Sequence, residues 1–261
     1  MTDSTFPFGT TDVSPDRIRE LVDLNQAISI ADDGIVIDAE PRLQRFIQQL
    51  PELLEWLKEN GRNYPWRNSS DPYRVYVTEI LLQRTRGDAV NDIYDDFFTQ
   101  FSTPQEIHDA DEEVIRDTVR SLGFVNHRTR TLQEVSELIC EDHDGGVPND
   151  LATLEQPWRV GPYSSRACQL FARGHPLALI DSNFARVIGR VLGYEMPQQP
   201  HKSDEVYALM DALVPAESGL ARSFNLAILD LGALICTPSS PSCADCPLQQ
   251  ACHYYETEVE S

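Results

Sequence analysis

Apolar residues recur along most of this chain at intervals of three and four, the period of a helix with one buried face. From Arg42 to Asn60 they are Leu43, Phe46, Ile47, Leu50, Leu53, Leu54 and Leu57, a stripe that predicts one long amphipathic helix. Residues 14–29 open with Ser-Pro and carry the same spacing, so a helix is expected there too. A turn follows at Asp32-Asp33-Gly34, then a brief apolar run, Ile35-Val36-Ile37. Asp71-Pro72 supplies an N-cap and a first-turn proline, which starts another helix. Further helices fit 88–101, 104–107, 111–121, 127–143, 164–173, 182–192, 202–213 and 221–235. The period-two alternation of strands is nearly absent. The expected class is all-α, made of short helices joined by short loops, with no internal repeat.

Composition narrows this frame. A chain of 261 residues forms one large domain or two small ones, with room for a sizeable core. No stretch approaches the ~20 apolar residues of a membrane span. The opening residues lack the basic and apolar regions of a signal peptide. An intracellular, cytoplasmic protein is expected, with residues 1–13 disordered and with Cys140 and Cys168 as free core thiols.

The net charge is −21, and only Lys58 and Lys202 are lysines, the other basic residues being arginines. Taken alone, that charge argues against nucleic acid as a partner. The acid is dispersed (Asp92, Asp95 and Asp96; Glu112 and Glu113; Glu141 and Asp142) and gathers in no tail. Dispersed acid with scarce lysine looks like halophilic adaptation to a high-salt cytoplasm. There a screened surface repels phosphate weakly, and binding rests on local contacts because counterion release contributes little.

Four cysteines change the picture most. Cys236, Cys243, Cys246 and Cys252 stand in the spacing C-x6-C-x2-C-x5-C, interleaved with Pro238, Pro241 and Pro247. Four thiolates in one short loop suit zinc or a [4Fe–4S] cluster. Zinc sites of this kind usually pair their cysteines as two C-x-x-C knuckles. Here only Cys243 and Cys246 make such a pair, so the spacing fits a cluster better.

Four further segments carry candidate chemistry. Glu79 is the single carboxyl in the otherwise nearly continuous apolar run Val75–Leu82. Burial would raise its pKa towards that of a general acid; the plainer reading sets it on a wet helix edge beside Arg74 or Arg84. Gln83-Arg84-Thr85 follows one turn on and could plug a gap in a base stack, although helix ends commonly carry such residues as caps. Trp158-Arg159-Val160-Gly161-Pro162-Tyr163-Ser164-Ser165 reads as a tight turn between two helices. Gly161 permits close approach of backbone, and the next helix's N-terminus offers a phosphate site. Asp181, before Ser182-Asn183-Phe184, is an N-cap by position; a carboxylate fixed by backbone N–H groups also stays ionised, as is needed beside a developing cation.

Together, in this order and followed by the four cysteines, these segments resemble the helix–hairpin–helix DNA glycosylase superfamily. The likeness runs over about residues 41–256. It is nearest to the archaeal G/T-mismatch thymine glycosylases, through Asp71-Pro72-Tyr73, Thr78–Thr85, Gly123–Arg128, Asp181–Phe184 with Arg186-Val187, and Phe224–Leu226 with Asp230-Leu231. The resemblance implies a six-helix barrel, residues 69–175, and a discontinuous [4Fe–4S] domain, residues 41–68 plus 176–261, after an extension of residues 1–40 without a counterpart. It also implies a DNA cleft between the two lobes and a cluster that shapes a DNA-contacting loop without redox work in catalysis.

Roles carried over by this likeness are catalytic for Asp181, Glu79 and Tyr163, with Asn183 ordering the aspartate loop. Gln83, Arg84 and Thr85 would meet the gap or the orphan guanine. Arg159, Val160, Gly161, Ser164 and Ser165 would grip the DNA backbone, Arg159 replacing a glycine of the family pattern. Tyr163 stands where endonuclease III carries its attacking lysine, and a tyrosine forms no Schiff base. The expected activity is hydrolysis of the N-glycosidic bond of thymine or uracil opposite guanine, without strand cleavage, by a monomer acting on mismatched double-stranded DNA in the nucleoid. Adenine glycosylases are the rival: they carry Gln-Gln-Thr and Asp-Gly-Asn at these motifs, with a further C-terminal domain for which the nine residues after Cys252 leave no room. A cluster-bearing DNA-binding module without catalysis is the alternative of another kind; it would need neither Glu79 nor Asp181.

Overall fold

The computed structural model describes residues 13–32, 36 and 38–259. Residues 1–12 and most of the turn and apolar run at 32–37 lie outside the described residues. The chain forms two compact units. One combines the N-terminal stretch through Arg62 with Gly174 onward, and the other is Asn63–Arg173. All regular structure among the described residues is helical.

The discontinuous unit begins with α1 (Pro15–Leu21), α2 (Leu24–Asp32) and α3 (Ala39–Asn60). The single helix expected over 14–29 is therefore two. Val22 is extended, at φ −111° and ψ 150°, and the Asp23 carboxylate accepts from the Gln26 N–H at 3.0 Å, so it starts a second helix. Both pack on the rest of the unit: Asp23 N–H donates to Ala212 O and Ala216 N–H to Leu21 O. The whole α3 stripe is buried, and each such Leu or Phe contributes about 1.5–3 kcal/mol.

In Asn63–Arg173 the helices are α4 (Pro72–Leu82), α5 (Gly87–Gln100), α6 (Pro104–His108), α7 (Glu112–Thr118), α8 (Val125–Glu137), α9 (Leu151–Leu154) and α10 (Pro162–Arg173). The expected helix 111–121 stops early, because Gly123 turns the chain at φ +72° after the short turn Arg120–Leu122. That expected over 127–143 begins at Val125 and ends in a π-turn, Leu138–Asp142. Helix α4 is buried on all sides from Val75 to Leu81, as a central helix must be. The Tyr73 hydroxyl donates to Phe101 O at 3.0 Å and the Tyr76 hydroxyl to Leu154 O. Burial raises both phenols far above their ordinary value, so both remain donors.

The chain then returns to the first unit as α11 (Ser182–Leu192), α12 (Asp204–Leu213) and α13 (Ser218–Leu234). Phe224 of α13 meets Phe46 of α3 and Phe184 of α11 edge-on, with ring centroids 6.3 Å apart in each pair. Asp230, fully buried in α13, is satisfied by the Arg62 backbone N–H at 2.8 Å and its guanidinium at 2.6–2.7 Å.

Candidate active site

Glu79 is not on a wet edge: it is 6 % exposed, on the fully packed α4. Arg74 lies beside Asp71 and over the Phe98 ring. The thiol of Cys168, on α10, lies close enough to feel the Glu79 charge. Burial is the main reason this thiol is pushed up to about 12, and Glu79 and Asp71 add to it. The residue expected to be a free core thiol is thus buried beside the candidate carboxyl.

Past α4 the chain turns sharply. Arg84 takes a left-handed backbone, φ +56°, and lays its guanidinium over the exposed Phe124 ring at 5.2 Å. The Thr85 hydroxyl approaches Gln83 O and Leu122 O, both at 3.3 Å. Gln83 Nε2 donates to Arg159 O at 3.1 Å and joins this loop to the hairpin.

The hairpin closes through Val160 N–H, which donates to Pro157 O at 3.0 Å, while the Val160 side chain is buried. Arg159, where the family pattern has glycine, sits at φ +63°; the left-handed region costs an L-residue about 1–2 kcal/mol. Bonds elsewhere in the turn hold it: Trp158 N–H to Glu134 at 2.6 Å and Thr131 Oγ1 to Trp158 O at 3.0 Å. Gly161 faces open space, since a Cβ there would meet nothing within 4 Å. Tyr163 is half-buried in the first turn of α10. Ser164 and Ser165, expected against DNA, have buried side chains, and the Ser165 hydroxyl donates to Glu155 at 2.6 Å. The apolar face of α10 includes both positions, which takes their side chains off the surface.

In the other unit Asp181 caps α11. Its Oδ1 accepts from Phe184 N–H at 2.7 Å and its Oδ2 from Asn183 Nδ2 at 3.3 Å. These bonds and nearby Arg186 favour the carboxylate, but burial outweighs them and raises its pKa above the ordinary value. Capping and burial therefore pull its ionisation in opposite directions. Asn225, fully buried, holds the segment leading to it, accepting from Leu179 N–H at 2.7 Å and donating to Leu177 O at 3.1 Å. Arg186 braces the other side. It donates to Asn183 Oδ1 (2.8 Å), Gly232 O (2.7 Å) and Cys236 O (2.8 Å). A Cβ at Gly232 would lie 2.7 Å from Asn183 Cβ and 3.1 Å from its carbonyl oxygen, so only glycine allows α13 this close.

All four cysteines of the C-terminal loop line one pocket, with Val187, Val191, Leu231 and Ile235 among its walls. Two tight turns, Cys243–Asp245 and Gln249–Ala251, bring them round. Arg190 Nη1 donates to Cys236 Sγ at 3.3 Å. Burial, reinforced by the neighbouring thiols, pushes Cys246 up to about 12 and Cys252 up to about 11. Beyond the loop, Glu256 accepts from Arg45 at 2.7 Å, tying the chain back to α3. Among the described residues no group of three or more His, Cys, Asp or Glu is set to hold a single metal ion.

The likeness at Gly123–Arg128 assigns no role to Arg128 or to the aromatic row beside it. His127 lies 5.1 Å from Trp158, and Arg130 and Arg159 cover that indole at 4.5 and 5.2 Å. A run reading His-Arg-Thr-Arg gives no local sign of which arginine is buried.

Comparison with known proteins accords with this arrangement. The chain belongs to the HhH-GPD superfamily of base excision DNA repair proteins, whose model matches residues 77–212, and its class is that of the DNA N-glycosylases. It is 37 % identical over 207 residues to a thymine/uracil-DNA glycosylase of Methanothermobacter thermautotrophicus, covering 78 % of this chain and 91 % of that protein. The adenine DNA glycosylase of Homo sapiens is 32 % identical over 77 % of this chain, which spans only 38 % of that protein. Among solved structures, that of a thermostable thymine-DNA glycosylase superposes with a TM-score of 0.76 at 31 % identity, covering 82 % of this chain and 97 % of the other.

Proposed function

We propose that this chain removes thymine or uracil from opposite guanine in duplex DNA by hydrolysing the N-glycosidic bond, and that it leaves the strand intact. The observation that carries the base choice is the likeness to a thymine/uracil glycosylase over nearly that protein's whole length.

The chemistry needs a base flipped from the stack and a group that steadies positive charge building on the sugar. Asp181 fills that role as a carboxylate held at a helix N-terminus by Phe184 N–H and Asn183. Water then adds at the sugar carbon, and the departing base keeps the bonding pair and takes up a proton. Glu79, in its apolar surroundings on α4, meets the leaving base or the water. Tyr163 has no amine to form an imine, and Lys58, in the other unit, lies 2.7 Å from Glu55; this supports the absence of a lyase step. Gln83, Arg84 and Thr85 occupy the gap left by the base. Arg159 and the backbone around Gly161 hold phosphate, with Ser164 and Ser165 contributing through α10 rather than their buried hydroxyls.

Cys236, Cys243, Cys246 and Cys252 would hold a [4Fe–4S] cluster: four thiols share one largely apolar pocket in a spacing suited to a cluster. The cluster would supply shape, fixing the loop that Arg186 and Arg190 tie to α11. We further infer a monomer acting on nucleoid DNA; the dispersed acid and scarce lysine support a high-salt cytoplasm.

The test is single-turnover excision in concentrated potassium chloride on G·T, G·U, G·A and 8-oxoguanine·A duplexes, with and without alkali. Strand breaks at G·T and G·U only after alkali are expected. Asp181→Asn should retain binding and lose at least about a thousandfold in rate, the scale of one lost transition-state charge contact with its associated positioning. Excision of adenine instead would overturn the base assignment, and an unimpaired Asp181→Asn would remove Asp181 from the mechanism.

A further inference from the structure

Arg128 lies in the first turn of α8, 4 % exposed, and its guanidinium ends on neutral acceptors. Nε donates to Ile80 O at 3.4 Å; Nη2 donates to Leu81 O (3.2 Å), Gln83 O (2.8 Å) and Thr85 Oγ1 (2.7 Å). Nη1 reaches Leu122 O at 3.5 Å and also Gly123 O. Burial alone draws its pKa down to about 10, so it stays charged at neutral pH.

One side chain thereby ties together the C-terminal carbonyls of α4, which a helix leaves without partners, and the turn before α8. Each of these loops contains a non-glycine residue in the left-handed region, Arg84 at φ +56° and Phe124 at φ +48°. Charge-assisted hydrogen bonds offset the strain of those two positions. The consequence is a stacked Arg84–Phe124 pair at 5.2 Å, with Phe124 half exposed.

We propose that Arg128 is a positioning residue that locks the α4 end to the Leu122–Phe124 turn, so that Gln83, Arg84 and Phe124 meet a vacated base position as one preformed unit. The proposal rests on the gap-filling role assigned above to Gln83 and Arg84. A lysine keeps the charge but is a point donor and cannot span this fan of acceptors.

The experiment compares wild type with Arg128→Lys and Arg128→Met on uracil in a G·U duplex and on the same uracil in a single strand. Binding is followed by anisotropy, and 2-aminopurine beside the mismatch reports unstacking. Duplex excision is expected to fall about tenfold to a hundredfold, the scale of a misplaced positioning contact, with single-strand excision changed less than about twofold. The 2-aminopurine rise should be lost while binding persists. Equal loss on both substrates, or an unchanged duplex rate, overturns the proposal. Should wild type excise uracil from neither substrate, the proposed function fails separately, and the 2-aminopurine signal still decides the role of Arg128: its loss in Arg128→Lys supports the proposal and its persistence overturns it. If both Arg128 variants unfold, Arg128→Gln keeps a planar amide donor that reaches fewer of these acceptors. A duplex-selective loss of severalfold then supports the proposal, and no loss overturns it.

Discussion

In Asn63–Arg173 the proposed DNA-reading loop leaves the C-terminus of α4; in the other unit the proposed catalytic aspartate precedes the N-terminus of α11. Each is braced by one arginine that donates mainly to backbone carbonyls, Arg128 in the first case and Arg186 in the second. The electrostatic demands are opposite. A helix C-terminus welcomes Arg128 directly, so that brace can be wholly buried. An N-terminus favours Asp181, and Arg186 serves it at one remove, through Asn183, Gly232 and Cys236. One loop is therefore held by residues of its own surroundings, whereas the other depends on α13 and the cysteine loop staying in place.

The largest expected break in this comparison is Gly232→Ala. The added methyl meets Asn183 backbone and side chain, so α11 or α13 must move. About 1–3 kcal/mol of stability should be lost, as for other overpacked sites, seen as a lower melting temperature. Single-turnover excision should fall at least about tenfold because the Asp181 loop shifts, whereas 2-aminopurine unstacking, which reads the α4 loop, should be retained.

A smaller effect concerns pH. Burial raises the Asp181 carboxyl above its ordinary value, so in the window between the two values the unfolded chain has already released a proton that the folded chain keeps. Raising pH through that window lowers stability. Asp181→Asn keeps a good N-cap and removes this dependence. It should melt above wild type at neutral pH, with the gap closing below about pH 4. Melting curves of both proteins across pH 3–8, an approximate range spanning the carboxylates, check the sign.

Smallest is Arg159→Gly. Relief of the left-handed strain should raise stability by roughly 0.5–1 kcal/mol, the remainder offset by the looser unfolded chain. Duplex binding should weaken as the proposed phosphate contact goes. Thermal melts and anisotropy measure the two halves independently.

The helices were legible because their apolar stripes are regular; α3 needs only its periodicity, and α11 its periodicity and the Asp181 cap. The division at Val22-Asp23 was not, since one aspartate inside an amphipathic stripe looks like its polar face until its carboxylate is seen on the Gln26 N–H. The candidate carboxyls stood out, Glu79 as a lone acid among apolar residues and Asp181 as an N-cap. Ser164 and Ser165 resembled phosphate donors because a hydroxyl after a turn commonly is one; the packing of α10 in its unit buries them, and Glu155 takes the Ser165 hydroxyl. Arg128 was hidden for the converse reason: its partners are carbonyls scattered from Ile80 to Gly123, and carbonyls carry no sequence signal.

The choice of neutral acceptors also sets how the molecule answers ionic strength. Exposed pairs such as Arg17–Glu20 or Arg130–Glu134 fade as the Debye length shrinks to about 3 Å near molar salt. The bonds from Arg128 and Arg186 to carbonyls are short-range and largely shielded from solvent, and added ions have little to screen. The geometry of both loops is thereby set by contacts whose strength is nearly independent of salt, while the charged surface around them carries most of the response.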